Sequence, residues 1–193
     1  MFKLTSLVFI ASIFLAAQSN ASLTNKDIAT ISGQVINSAR ANALSWKIGD
    51  GLNFALMVKG VAIGSVSMKY EAENQKEMLM TQVFNLVNKS VSLLIGYDKE
   101  SGRVSSFKIM GVPLPLPGSD AGGVKVVKQE ESHINVPAGE YDAVYFLIET
   151  DKGQQTEIWM NPSEIPLTGT LKTNSKVRNI DVSMELVSFA HGN

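Results

Sequence analysis

The stretch GEYDAVYFLIETDKGQQTEIWMNP, residues 139–162, holds two runs of apolar and aromatic side chains on either side of a short polar turn. Alternation puts Tyr141, Ala143, Tyr145 and Leu147 on one face of an extended segment and Val144, Phe146 and Ile148 on the other. Asp151, Lys152 and Gly153 can close a hairpin, and residues 156–160 return. Pro162 and Pro166 then end that strand and start a bend. A strand that is apolar on both faces needs cover on both. The purely apolar face is expected in the core, and the tyrosine face, with Trp159 nearby, against a ligand or a helix.

Working outward, the same period of two recurs. Residues 51–58 place Leu52, Phe54, Leu56 and Val58 on one face, and Val66, Met68 and Tyr70 alternate with Ser65, Ser67 and Lys69. Residues 77–87 are apolar at nearly every position, with Met78, Met80, Phe84 and Leu86 on one side. Val91, Leu93, Ile95 and Tyr97 align next, and a turn at 98–102 leads into a strand at 103–110. Pro113, Pro115 and Pro117 bar a central strand from GVPLPLPGSDAGG, because proline gives no ladder donor, so this segment is read as an extended surface loop. Short strands are expected at 124–129, 132–136, 168–173 and 179–189.

Before the strands, residues 24–44 carry Ile28, Ile31, Val35, Ile36 and Ala39 at helical spacing, with Thr24 and Asp27 as a capping-box-like start. The fold class read from this pattern is mainly β. It is a strongly curved antiparallel sheet, an open or half β-barrel of about ten strands, with one N-terminal amphipathic helix. A curved sheet around a helix, or a barrel with a filled lumen, would cover the strands that are apolar on both faces.

The first residues, MFKLTSLVFIASIFLAAQSNAS, have a basic start at Lys3, an apolar core from Leu7 to Ala17, and small residues at Ser19 and Ala21. This is the pattern of a secretory signal peptide over 1–21, leaving 22–193 as a single mature β-rich domain. The apolar run is far shorter than the roughly 20 residues a spanning helix needs. No cysteine follows to carry a lipid, so a periplasmic or secreted location is expected. With no cysteine there is no disulfide framework, thiolate nucleophile or cysteine metal site. A net charge of −1 and only three arginines argue against a nucleic-acid partner.

Candidate chemistry is sparse. His133 stands beside Glu130 and Glu131, but without the i, i+4 pairing of a helical metal site, and reads as a solvated strand edge. His191 lies near the end of the chain. No Gly-x-Ser-x-Gly elbow is present. The GSDAGG segment at 118–123 is glycine-rich, but no helix clearly follows it, and it reads as a turn. Glu71 and Glu73 would form a glycosidase pair only inside a cleft. No catalytic residue, metal ligand or cofactor is expected.

Methionines and aromatics are the stronger signal. Flexible, polarizable methionine suits a surface that repacks around varied apolar ligands, and it equally fills gaps in a curved core. The candidate ligand-lining set is Phe54, Met68, Tyr70, Met80, Phe84, Tyr97, Tyr141, Tyr145 and Trp159.

Three pieces in order, WKIGDGLNF (46–54), GYDKESGRVSSFKI (96–109) and VPAGEYDAVYF…EIWMNPSEIPLTGTLK (136–172), resemble uncharacterised exported β proteins of Gram-negative bacteria. More distantly they resemble the half-barrels of the lipoprotein-carrier (LolA/LolB-like) class. That resemblance implies an unclosed antiparallel barrel whose apolar inner face can hold an acyl chain. The expected function is a non-enzymatic exported protein that binds or carries a hydrophobic ligand, a lipid or acyl chain, in the concavity of the sheet. The alternative is an envelope or surface module that docks another protein, and the third reading is a hydrolase.

Overall fold

The computed structural model describes residues 46–193, apart from 87–88, 103, 114–123, 151–152, 154 and 178–179. The expected signal segment and the helix at 24–44 lie outside the described residues. Among the described residues there is no helix.

The strands are β1 (Gly51–Val58), β2 (Val61–Glu73), β3 (Glu77–Leu86), β4 (Lys89–Asp98), β5 (Val104–Ile109), β6 (Val112–Pro113), β7 (Val124–Val136), β8 (Gly139–Thr150), β9 (Gln155–Met160), β10 (Thr170–Val177) and β11 (Ile180–Ala190). They form one 11-stranded antiparallel sheet in the order β6-β5-β4-β3-β2-β1-β11-β10-β9-β8-β7. Each half is a meander of neighbours in sequence, and the first and last strands join the halves. Gly51 pairs with Ala190 at one end of that seam and Val58 with Val182 at the other. The sheet is curved and unclosed, with β6 and β7 as its two edges.

Alternation in β1–β4 sends one side chain in two to the same face. Residues directly opposite on neighbouring strands share a face. One row across the sheet therefore runs Leu93, Gln82, Met68, Leu52, and the next runs Val91, Phe84, Val66, Phe54, Leu186. A third joins Ile95, Met80 and Tyr70. These rows hold the core, continued by Leu56, Phe107, Ile109, Leu171, Val182 and Met184.

The corner after β9 plugs this core. Ile165 and Leu167 are buried there, and Trp46 donates its indole N–H to the Leu167 carbonyl at 3.1 Å. Asn161 organises the corner. Its Oδ1 accepts the Ser163 and Glu164 amides at 3.2 and 3.1 Å, and its Nδ2 donates to the Asp142 carbonyl at 3.0 Å. Gly169 closes the corner at φ +68, where a Cβ would lie 2.8 Å from Pro162 Cα, so a side chain is excluded twice over. Asp50 ties the chain's entry to its end, accepting the Lys47 and Gly192 amides at 2.8 Å each.

One difference from the sequence reading concerns β7. Two strands were expected at 124–129 and 132–136, and the structure has one. Glu130 and Glu131 do not break it, because β7 is an edge strand and both carboxylates reach solvent. Pro113 sits in the two-residue edge strand β6, a place where its missing donor costs no ladder bond.

Candidate functional site

Six of the nine candidate ligand-lining residues share the buried face: Phe54, Met68, Tyr70, Met80, Phe84 and Tyr97, each at most 5% exposed. Strand pairing brings them into consecutive rows, with Phe54 and Phe84 in one row and Tyr70 opposite Met80 in another. Tyr97 stands opposite Met78 at the end of this wall.

Tyr141, Tyr145 and Trp159 do not belong to those rows, although Tyr141 and Trp159 pack, half-buried, against the same hydrophobic cluster. Tyr145 and Trp159 face each other across β8 and β9, ring centroids 5.0 Å apart, and both are half-buried. Lys128 Nζ lies 5.6 Å from the Tyr145 ring and Lys172 Nζ 5.9 Å from the Trp159 ring. The Tyr145 hydroxyl donates to Glu157 at 3.1 Å; burial, then the Glu157 charge, raises its pKa. Tyr141 instead donates to the Ala138 carbonyl at 3.1 Å, in the β7–β8 turn. Val144, Phe146 and Ile148 are on the side of the core, as register with Met160, Ile158 and Thr156 requires, but they are only half-buried.

Two residues on the buried wall were not singled out from sequence. Trp46 stacks edge-on against Tyr97 at 5.0 Å and lies 6.0 Å from Tyr70. Gln82 is 0% exposed, between Met68 and Leu93, and among the described residues neither its amide N–H nor its carbonyl oxygen has a hydrogen-bond partner. The signal for Gln82 was the single polar break in the run Met78, Met80, Gln82, Phe84. The Tyr97 hydroxyl and Thr173 Oγ1 are likewise buried without partners among the described residues. Register through Met184 to Leu56 puts Thr173 on the same face as Gln82.

Burial holds the Tyr97 phenol neutral by raising its pKa. Tyr70 is raised as well, by burial first and then by its 2.8 Å hydrogen bond to Glu73. The wall is thus uncharged, apolar over most of its area, and carries a few hydrogen-bonding groups with unused capacity.

The carboxylates are engaged elsewhere. Glu73 pairs with Lys99 at 3.0 Å, and Glu71 accepts from Thr81 at 2.8 Å. His133 is exposed on β7, 3.0 Å from Asp142 and 4.0 Å from Glu140. Among the described residues no group of three or more His, Asp or Glu side chains is placed to hold a metal ion. No helix among them is long and apolar enough to cross a membrane.

No family model and no curated protein matches the chain. Solved structures do. The hypothetical protein CT021 from Chlamydia trachomatis superposes with a TM-score of 0.52 at 10% identity, over 79% of this chain and 92% of that one. A Bacteroides fragilis protein described as exported and as having a YmcC-like fold gives 0.42 at 11% identity, over 75% and 97%. The hypothetical lipoprotein YmcC from Escherichia coli gives 0.31 at 8% identity, over 88% and 98%. The similarity to CT021 is one of fold.

Proposed function

We propose that this is a non-enzymatic exported protein that binds or carries a hydrophobic molecule, a lipid or acyl chain, against the buried face of its open sheet. Gln82 carries this reading. A finished protein core almost always pairs its polar atoms, because a buried amide without partners costs about 1–3 kcal/mol. An amphiphilic ligand lying along Met68, Met80 and Phe84 would offer Gln82 a hydroxyl, ester or amide group and remove that cost. The methionines on the wall support a ligand of variable shape. The signal-peptide pattern at 1–21 supports export, and the engagement of Glu71, Glu73, Glu77 and Asp98 in turns and ion pairs supports a non-catalytic reading.

Native mass spectrometry of protein purified without detergent tests the proposal. A stoichiometric lipid adduct that is lost on solvent extraction and regained on adding a fatty acid is the expected result. A clean mass that does not change when fatty acids or phospholipids are added would reject the reading.

A second reading, a module that docks another protein, is favoured by one observation. Among the described residues, four of the seven exposed large apolar side chains lie at the two sheet edges, Met110 and Val112 beside β5 and β6, and Val126 and Val127 on β7.

A further inference from the structure

β7 is a 13-residue edge strand, whereas the opposite edge, β6, has only two residues. No described strand pairs with its outer side. The two-residue turn at Pro137 and Ala138 sets the phase of its hydrogen bonds. Val136 and Gly139 flank that turn as a hydrogen-bonded pair, so pairing alternates along the strand from there. Ile134, Ser132, Glu130 and Lys128 direct their backbone groups at β8. Asn135, His133, Glu131 and Gln129 direct theirs outward, and all four are exposed. Side-chain contacts agree with this phase. His133 touches Asp142 at 3.0 Å and Asn135 touches Glu140 at 3.3 Å, across the closer, non-hydrogen-bonded pairs.

We propose that β7 is a self-association edge, which pairs antiparallel with β7 of a second copy about a two-fold axis at Ser132. Register selects that axis. An axis at Glu130 or Glu131 sets glutamate directly against glutamate. An axis at His133 sets two imidazoles together. An axis at Gln129 brings the bulge between Val126 and Lys128 into the ladder. With the axis at Ser132, residues 128–136 of each copy align without a bulge. Glu131 then meets His133 of the second copy, and Gln129 meets Asn135, each as a hydrogen-bonded pair. The four outward-facing residues of each copy are matched to one another. The imidazole of His133 can donate a hydrogen bond to the Glu131 carboxylate in this alignment, and such a two-fold contact is self-complementary and closes at the dimer. The result is one sheet continuous across both copies.

The chain has no cysteine, so Ser132→Cys introduces a single thiol. In the proposed register it faces its own copy as a non-hydrogen-bonded pair, with Cα atoms about 4.5 Å apart, within disulfide range. Mild oxidation of purified Ser132→Cys should therefore give a disulfide dimer, while Gln129→Cys and Asn135→Cys should not cross-link to themselves. The wild-type chain should sediment as a concentration-dependent dimer. Glu131→Lys should abolish that dimer, and adding His133→Glu should restore it, with the circular dichroism of the sheet unchanged throughout. A monomer at every concentration overturns the proposal. That outcome would include a case in which another segment of the same chain, or a different protein, covers β7. Cross-linking at Gln129 but not at Ser132 also overturns it.

Discussion

At Gln82 the sequence pattern and the physical environment part company. The residue sits in register with Met68 and Leu93 and is as buried as either, yet it brings an amide with no partner among the described residues. Gln82→Met should raise the unfolding free energy of the ligand-free protein by about 1–3 kcal/mol in a urea titration, because the uncompensated amide is removed. The same variant should retain less lipid through purification. The two tryptophans separate by environment. Trp46→Ala removes a ring packed on Tyr70 and Tyr97 and should cost about 3–5 kcal/mol. Trp159→Ala removes a half-buried ring stacked on Tyr145 and should cost clearly less in the same titration. The polar break at position 82 is present in the sequence but does not stand out there. Nor could the sequence show that the amide lacks a partner, since that depends on which side chains four strands deliver to one face.

At the scale of elements, the turns at the ends of β2–β5 carry most of the shifted carboxylates. Glu73 is lowered by its bond to Lys99 first and then Tyr70, Glu77 by Ser105 first and then Ser106, and Asp98 by the Ser101 hydroxyl first and then its amide. A carboxylate held below its unfolded pKa adds stability at any pH above the unfolded value. It loses that stability as pH falls through the lower, folded value. Melting temperature should therefore be flat near neutral pH and fall as pH drops below the ordinary carboxylate range of about 4. Glu77→Gln should flatten that fall. The tyrosines act with the opposite sign. Tyr70 and Tyr97 are raised above their unfolded value, so stability should fall as pH climbs past about 10. The Asn161 corner is a further element. Asn161→Ala orphans the Ser163 and Glu164 amides and the Asp142 carbonyl, and should cost about 1–3 kcal/mol by thermal or urea unfolding. The NPSEIP sequence announced a bend, but not that one asparagine would tie it to β8.

For the whole molecule, the period of two was enough to read a mainly antiparallel, curved sheet, while its being unclosed was implied by the resemblance to half-barrel proteins. The reading worked because strands such as β1, which alternates Leu52, Phe54 and Leu56 onto one buried face, have no competing helical pattern. Two things lay beyond it. The closing of β1 on β11 joins residues about 140 positions apart, and no local signal marks such a contact. The placement of the aromatics was the other. Tyr145 and Trp159 look like wall residues in sequence, but β8 and β9 turn them toward Lys128, Lys172 and Glu157. That division of aromatics between two faces supplies the most direct test of the central claim, ligand binding on the buried wall. The chain has only two tryptophans, so Trp159→Phe leaves Trp46 as the sole reporter of that wall. Titration with a fatty acid brominated along its chain should quench Trp46 fluorescence strongly and saturably, while Trp46→Phe, which leaves Trp159, should be quenched much less. Quenching of Trp159 with Trp46 untouched would contradict the account and move binding to the outer aromatic face, and quenching of neither would remove the ligand altogether.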